Sequence, residues 1–137
     1  AREEIALAGL ADRIATRAGD YHRDPLAAED DPPYDAVYVS NIIHSLSPLE
    51  TRGLLTTVIS VLAPGGLLVV KDFFLEDDRA TPAFGARFAV NMLVGTEGGK
   101  SYTWTEIERL CGRLGLRDVR RLEVAAHSGL VVARAGE

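Results

Sequence analysis

The chain has 137 residues, of which 47% are hydrophobic and 26% are charged, a composition typical of a folded globular unit. The formal net charge is -5 and no cluster of Lys and Arg would cover one face, which argues against nucleic acid as a partner. No apolar run approaches the roughly 20 residues of a membrane-spanning helix, so we expect a soluble, cytoplasmic protein that binds no membrane.

The first third of the chain predicts one helix and two strands. A helical pattern opens the sequence and Gly9 ends it. The alternating residues 14–18 predict a half-covered strand that leads into Gly19-Asp20-Tyr21. After a polar connection with three prolines, residues 34–39 predict a second strand, which ends at Ser40-Asn41.

The middle of the chain predicts a helix followed by a buried strand. Ser47-Pro48-Leu49-Glu50 combines an N-cap hydroxyl, a first-turn proline and a capping-box glutamate, so a helix should run from there to about Leu62. Ala63-Pro64-Gly65-Gly66 should stop that helix. The continuous apolar run 67–70 is typical of a strand covered on both faces, and Lys71-Asp72 restores polarity at its end.

The remaining elements complete an α/β pattern. Residues 81–94 predict an inserted helix, and the capping box Thr103-Trp104-Thr105-Glu106 predicts another helix that ends at Leu114. Residues 119–124 and 129–133 suit an antiparallel hairpin. This order of elements predicts a Rossmann-like, doubly wound and mostly parallel sheet that ends in an antiparallel C-terminal hairpin.

Three predicted strand ends carry polar side chains next to aromatic or apolar ones: Gly19-Asp20-Tyr21, Ser40-Asn41 and Asp72-Phe73. Ligands of open α/β sheets bind outside the carboxyl ends of the strands, because loop backbone groups and helix N-termini converge there. A pocket of this kind suits a flat ligand with polar edges. The pattern predicts the place of a site and leaves its ligand open.

An ordered set of motifs suggests that ligand. The set consists of Gly19-Asp20-Tyr21, Tyr34-Asp35-Ala36-Val37, Asn41-Ile42-Ile43-His44, Leu62-Ala63-Pro64-Gly65-Gly66 and the segment 91–99. In this order and spacing it resembles the class I S-adenosylmethionine-dependent methyltransferases. It is most similar to the O-methyltransferase group of plant phenolic, bacterial polyketide and hydroxyindole enzymes, and the likeness covers essentially the whole chain. The resemblance implies S-adenosylmethionine as cofactor, a small-molecule acceptor and a homodimer.

The resemblance also implies roles for four residues in binding the cofactor. Asp20 would accept a hydrogen bond from the adenine amino group, while Tyr21 would pack against the adenine ring. Ser40 and Asn41 would line the methionine portion. An alternative remains for Asp20, which could be a loop carboxylate that caps a nearby turn.

His44 lies where this group has its general base. A phenol with a pKa near 10 must lose its proton as the methyl group moves, and an imidazole with a pKa near 6.5 can take it. Plant members follow this histidine with Asp-Trp, whereas Ser45-Leu46 follow His44 here. Two interpretations therefore stay open: His44 is the catalytic base, or it is a histidine of the pocket or of the following helix start.

The inserted helix supplies candidates for an acceptor pocket. Together with the strand end at Asp72 it would present a set of mostly apolar side chains: Phe73, Phe84, Phe88, Asn91 and Met92. An apolar stripe at helical spacing is equally expected in an ordinary core. Glu97 with Gly98-Gly99 is a further candidate that would shape or close the pocket, although a plain turn explains the same residues.

Three other reactive side chains carry no functional prediction. Cys111 is the single cysteine and lies in a helical pattern, so we expect a buried small side chain and no disulfide. His22 and His127 fall in predicted surface loops without metal-ligand spacing, and we expect solvated side chains and no metal site.

The resemblance further implies that the family's first strand, its glycine-rich cofactor loop and the acidic residue of its second strand would precede Ala1. Residues 1–137 are accordingly interpreted as a partial methyltransferase catalytic domain. The predicted function is transfer of a methyl group from S-adenosylmethionine to a hydroxyl of an aromatic or polyketide-like small molecule. C- or N-methylation, a non-methylating relative of the fold, and a fragment that needs a partner segment remain alternatives.

Overall fold

The computed structural model describes residues 1–21, 23–28, 30–124 and 127–136. Within these ranges one four-stranded sheet has the order β1-β2-β4-β3. Its strands are β1 (Tyr34–Ser40), β2 (Leu62–Asp72), β3 (Arg117–Glu123) and β4 (Gly129–Arg134). Strand β2 is parallel to β1 and antiparallel to β4, which is itself antiparallel to β3. The α/β class and the antiparallel C-terminal hairpin are confirmed.

In the part of the chain that the structure describes, four α-helices accompany the sheet: α1 (Arg2–Leu7), α2 (Pro48–Ser60), α3 (Ala83–Gly95) and α4 (Trp104–Arg113). A 3₁₀ turn, Ile43–Ser45, lies between β1 and α2, and we call it the histidine turn. Both predicted capping boxes are present, at the start of α2 and at the start of α4. In the described ranges no helix is both long enough and apolar enough to cross a membrane.

The strand predicted at residues 14–18 is wrong. These residues form no strand, and within the described ranges β1 is hydrogen-bonded along β2 alone. Side chains hold this segment instead: Arg2 Nε donates to Thr16 Oγ1 over 2.9 Å, and Arg17 donates to the carbonyl of Pro25 over 3.0 Å. An alternating pattern indicates which side chains of a strand would be buried. A strand also requires a neighbouring backbone with which it can form hydrogen bonds.

The stop predicted at Ala63-Pro64-Gly65-Gly66 lies inside β2 rather than before it. Helix α2 already ends at Ser60, and the register of β2 against β1 jumps between the pairs Tyr34–Leu62 and Ala36–Leu67. Gly65 adopts a φ of 73°, in the left-handed region that favours glycine. The four residues therefore form a bulge that lets the strand leave its partner and pair with it again.

A single buried cluster joins α2 and α4 to the sheet. Its members include residues from both helices and from three strands, among them Leu55, Val58, Ile107, Leu68, Val70, Val39 and Val131. Cys111 is fully buried in the same cluster, as predicted. Because β1 and β2 are parallel, their carboxyl ends meet at one edge, where the Asn41 N–H donates to the Lys71 carbonyl over 2.9 Å. That edge carries the site described below.

Candidate active site

His44 and Asp72 meet at the shared edge of β1 and β2. Asp72 is the last residue of β2, and His44 lies in the histidine turn that follows β1. The His44 Nδ1 atom is 2.8 Å from Asp72 Oδ1. A parallel strand pair thus brings together two side chains that are 28 positions apart in the sequence.

The Asp72 carboxylate is almost completely enclosed, with only 4% of its side chain exposed. Besides the imidazole, it accepts the Phe73 N–H at 2.8 Å and the His44 N–H at 3.3 Å. A buried charge needs such donors, since an unpaired carboxylate in this position would be strongly destabilising. With Nδ1 donating to Asp72, the Nε2 atom of His44 is the ring nitrogen that can accept a proton.

The sequence predicts Asp72-Phe73 as one of the strand ends at the site but assigns no role to the Asp72 side chain. The signal for its contact with His44 is that a carboxylate at the end of β2 and a histidine just after β1 lie at the same edge when the two strands are parallel.

Two of the predicted acceptor residues, Phe73 and Phe88, have rings near the imidazole of His44, and Phe84 packs against both of them. We call Phe73, Phe84 and Phe88 the aromatic wall. The ring of Phe88 meets the imidazole edge to face, with centroids 4.9 Å apart and planes at 89°. Phe73 lies 4.8 Å from Phe88 and 5.3 Å from Phe84, centroid to centroid. The side chain of His44 is 16% exposed. The histidine therefore sits in a largely apolar environment that remains open to solvent on one side.

The other residues predicted near the pocket are less enclosed. Asn91 is exposed and Met92 is half-buried, both about one turn beyond Phe88 on α3. Glu97 is exposed in the turn after that helix. The ring of His127 was expected to be solvated; it is exposed but stacks on Phe84, with centroids 4.8 Å apart and planes at 13°.

No group of metal-ligating side chains occurs among the residues that the structure describes. His22, for which we expected a solvated side chain, lies outside the described residues.

The residues predicted to bind adenine line a separate cavity. Asp20 and Tyr21 contribute to a space of about 550 Å³ that follows the loop from Arg17 to Ala28. The Asp20 N–H donates to the Asp24 carboxylate over 2.7 Å, which fixes the turn in this loop. Tyr21 also lines a second, more apolar cavity of about 340 Å³ beside β1.

The pair predicted to contact the methionine portion lies at the end of β1. Ser40 is half-buried as the last residue of the strand, and Asn41 is exposed with a φ of 55°, in the left-handed region. Neither is among the residues lining the 550 Å³ cavity. The four predicted cofactor residues therefore lie in two groups, one in the loop before β1 and one at the edge next to His44.

Comparisons with known proteins give matches over most of this chain. The family model described as an O-methyltransferase domain matches residues 1–117. The 3-hydroxy-5-methyl-1-naphthoate 3-O-methyltransferase of Streptomyces sahachiroi is 34% identical over 126 residues, which are 92% of this chain and 35% of that protein.

Solved structures also share the fold. Human N-acetylserotonin methyltransferase in complex with SAM matches with a TM-score of 0.78 and 28% identity, over 88% of this chain and 33% of that one. An O-methyltransferase family 2 protein of Planctomyces limnophilus in complex with apigenin matches with a TM-score of 0.86 and 26% identity, over 97% and 39%. The chain thus spans little more than a third of the length of these relatives.

Proposed function

Because this chain belongs to the O-methyltransferase domain family, we propose that the full-length protein transfers a methyl group from S-adenosylmethionine to a hydroxyl group of an aromatic small molecule. The observation that carries the proposal is the contact between His44 and the buried Asp72 inside a group of aromatic rings. A polyketide-like phenol with fused rings is the acceptor class that such rings favour.

The loop before β1 fits the adenine end of the cofactor. Asp20 offers a carboxylate that can accept hydrogen bonds from an amino group, and the adjacent Tyr21 offers a flat ring for stacking. Both line a cavity of about 550 Å³, within the range of roughly 300–1,000 Å³ that small-molecule sites occupy. Ser40 and Asn41 would contact the amino-acid portion. When bound, S-adenosylmethionine supplies an activated methyl group on a sulfonium.

The aromatic wall would bind and orient the acceptor. Phe73 and Phe88 offer ring faces and edges at the spacing at which aromatic rings pack. An acceptor ring held against them would present its hydroxyl oxygen near the imidazole of His44. Correct placement of two reactants supplies a large part of the rate in such a reaction. Phe84 would extend the wall for acceptors with more than one ring.

His44 would remove the hydroxyl proton as the new carbon–oxygen bond forms. The Asp72 carboxylate lies 2.8 Å from Nδ1 and would accept a hydrogen bond from a proton on that atom, which would leave the Nε2 lone pair available to the acceptor proton. After transfer His44 carries a positive charge, which the neighbouring carboxylate stabilises. Asp72 is therefore proposed as the residue that orients His44 and balances its charge.

The test is a transfer assay on the full-length protein with S-adenosylmethionine and two acceptors, 2-naphthol and 5-hydroxyindole. We expect a product heavier by one methylene that no longer ionises as a phenol. His44→Gln should lower kcat by about 10²–10⁴-fold, whereas the exposed Arg52→Gln in α2 should leave it unchanged. Methylation on carbon or nitrogen, or equal turnover by the His44 variant, would reject O-transfer by this base.

A further inference from the structure

The segment between α3 and α4 lies directly against the histidine turn. Gly99 is buried there. A Cβ atom built on it would lie closest to Thr96 Oγ1, almost equally close to the His44 carbonyl oxygen, and 3.0 Å from Ser45 Cα. Real Cβ atoms essentially never come within 3.0 Å of such neighbours. The backbone of Gly99 therefore occupies a place that no side chain can share while His44 stays where it is.

Gly98 makes a similar approach one residue earlier. A Cβ atom built on it would lie 2.9 Å from Ser47 Cβ, at the N-cap of α2. Two consecutive glycines thus pack alongside the segment that connects the histidine turn to the start of α2. Gly98 and Gly99 together therefore lie close to His44, Ser45 and Ser47, at the end of the histidine turn and at the N-cap of α2.

A hydroxyl group ties Gly99 to the helix that carries the aromatic wall. The Gly99 N–H donates to Thr96 Oγ1 over 2.8 Å, and the Thr96 hydroxyl donates to the Met92 carbonyl over 2.7 Å. Met92 lies in the last turns of α3, the helix that supplies Phe84 and Phe88. One short chain of hydrogen bonds therefore connects the end of α3 with the residue that packs against His44.

The histidine turn has little regular structure of its own to fix the imidazole. It is three residues long, and its hydrogen bonds to Asp72 include the His44 N–H at 3.3 Å and the ring Nδ1 at 2.8 Å. Pressure on the His44 carbonyl would rotate the adjoining peptide groups. Because the ring bond is directional, a shift of the backbone by a few tenths of an ångström would misalign it.

We propose that Gly99, held by Thr96, is a positioning residue for His44: it sets the distance between the base and the aromatic wall. The inference rests on the proposed function for its catalytic meaning. The structural part of the proposal is that the His44–Asp72 hydrogen bond depends on residue 99, and this part does not require the proposed function. A side chain at position 99 should therefore disturb the imidazole in the resting protein, before any acceptor is bound.

The experiment compares Gly99→Ala with Gly53→Ala in the full-length protein. Gly53 is an exposed position in α2 with no atom within 4 Å of a built Cβ, so it controls for the added methyl group. Nitrogen-15 spectra of the histidine rings report which ring nitrogen of His44 carries the proton. We expect a protonated Nδ1 with a downfield proton signal in the wild type and in Gly53→Ala, and loss of that signal in Gly99→Ala.

A second pair of variants keeps the test decisive if Gly99→Ala does not fold. Thr96→Val removes the hydroxyl that holds the Gly99 N–H, whereas Thr96→Ser keeps it. Thr96→Val should shift the His44 ring signals and Thr96→Ser should restore them. In the transfer assay, Gly99→Ala should lower kcat by roughly 10²-fold with little change in KM.

His44 signals identical to the wild type in both Gly99→Ala and Thr96→Val would overturn the positioning role. That outcome is independent of the proposed function, because the ring signals need no substrate. Conversely, a wild-type protein that transfers no methyl group would reject the function and leave the ring measurement valid.

Discussion

Thr51 and Tyr102 join two distant parts of the chain through a hydrogen bond of 2.8 Å between buried hydroxyls. Thr51 lies in the first turns of α2, and Tyr102 precedes the capping residue of α4. Tyr102 also lies 3.4 Å from the carbonyl of Leu46, just past the histidine turn. Burial raises the pKa of Tyr102, although the hydrogen bond to Thr51 acts in the opposite direction. These two side chains therefore connect the start of α2 with the segment before α4, close to the end of the histidine turn.

The losses of stability on removing these two hydroxyls should not be additive. Thr51→Val leaves the buried Tyr102 hydroxyl with only the long contact to Leu46, which should lower the free energy of unfolding by about 1–3 kcal/mol. The double variant Thr51→Val/Tyr102→Phe should lose less than the sum of the two single changes. Urea unfolding measures all three. Additive losses would contradict the coupling, and the exposed Thr56→Val is the matched control.

Asp72→Asn should damage catalysis while leaving acceptor binding nearly intact. The amide has the size of the carboxylate but cannot balance the charge that His44 gains, and it no longer favours a protonated Nδ1. We expect kcat to fall by about 10²–10⁴-fold with little change in KM for the phenol. Asp118→Asn, at an exposed position of β3, should keep full activity. Equal turnover by both variants would show that Asp72 does not act through His44.

Gly129 packs against the six-membered ring of the buried Trp104 indole. A Cβ atom built on it would lie 2.6 Å from Cζ2 of Trp104 and closer to its Cη2 atom. Gly129→Ala should therefore destabilise the protein by about 1–3 kcal/mol through overpacking. Gly112→Ala, in α4 with open space around it, should instead stabilise by roughly 0.5–1 kcal/mol. Thermal melting should give a lower melting temperature for Gly129→Ala and a higher one for Gly112→Ala. Similar melting temperatures for the two variants would contradict the predicted overpacking at Gly129.

Glu106 should make stability depend on acidity. Burial by itself would raise its pKa, but hydrogen bonds from Lys100, the Thr103 N–H and Arg79 outweigh that effect and lower the pKa below its usual value of 4.5. A lowered pKa in the folded state means that the charged carboxylate stabilises the protein above the pKa of the unfolded chain. That contribution is lost as the pH falls through the lower, folded-state pKa.

The comparison of wild type with Glu106→Gln tests this sign. The wild type should have the larger free energy of unfolding at pH 7, and the difference should shrink as the pH falls below about 4.5. Urea unfolding between pH 7 and pH 3 provides the measurement. A difference that grows on acidification would reverse the assignment.

Cys111 should be unreactive in the folded protein. Burial raises the pKa of its thiol to about 11, so very little thiolate exists at pH 8. Iodoacetamide should modify the chain at pH 8 only as fast as it unfolds, and quickly in 6 M urea. Rapid labelling without denaturant would show that α4 opens locally.

Local chemistry explains which parts of the fold could be predicted from the sequence. The starts of α2 and α4 depend on contacts within four residues, and both capping boxes were identified from Ser47 and Thr103. The sequence around Gly65 predicts a helix stop where the structure has a bulge, because a left-handed glycine can end a helix or interrupt a strand and the sequence signal is the same. Residues 14–18 show the limit of periodicity, which cannot reveal whether a pairing partner is present.

The candidate site likewise has features that the sequence predicts and features that it does not. The resemblance to the O-methyltransferase group implies His44, and the place of the inserted helix next to the strand end at Asp72 predicts the aromatic wall. The contact with Asp72 depends on the parallel pairing of β1 and β2, and the packing of Gly99 against the His44 carbonyl depends on where the segment after α3 returns. Both are contacts between distant residues, so no local pattern predicts them.

The position of β4 has a consequence for how the protein is made. It is the last of the four strands along the chain, yet it lies between β2 and β3. During synthesis, the backbone groups along one edge of β2 therefore stay unpaired until residues 129–134 have emerged from the ribosome, and β3 cannot join the sheet before them. Until then β2 has an unpaired edge that can pair with other chains. We therefore expect the nascent chain to need chaperone protection late in translation rather than early.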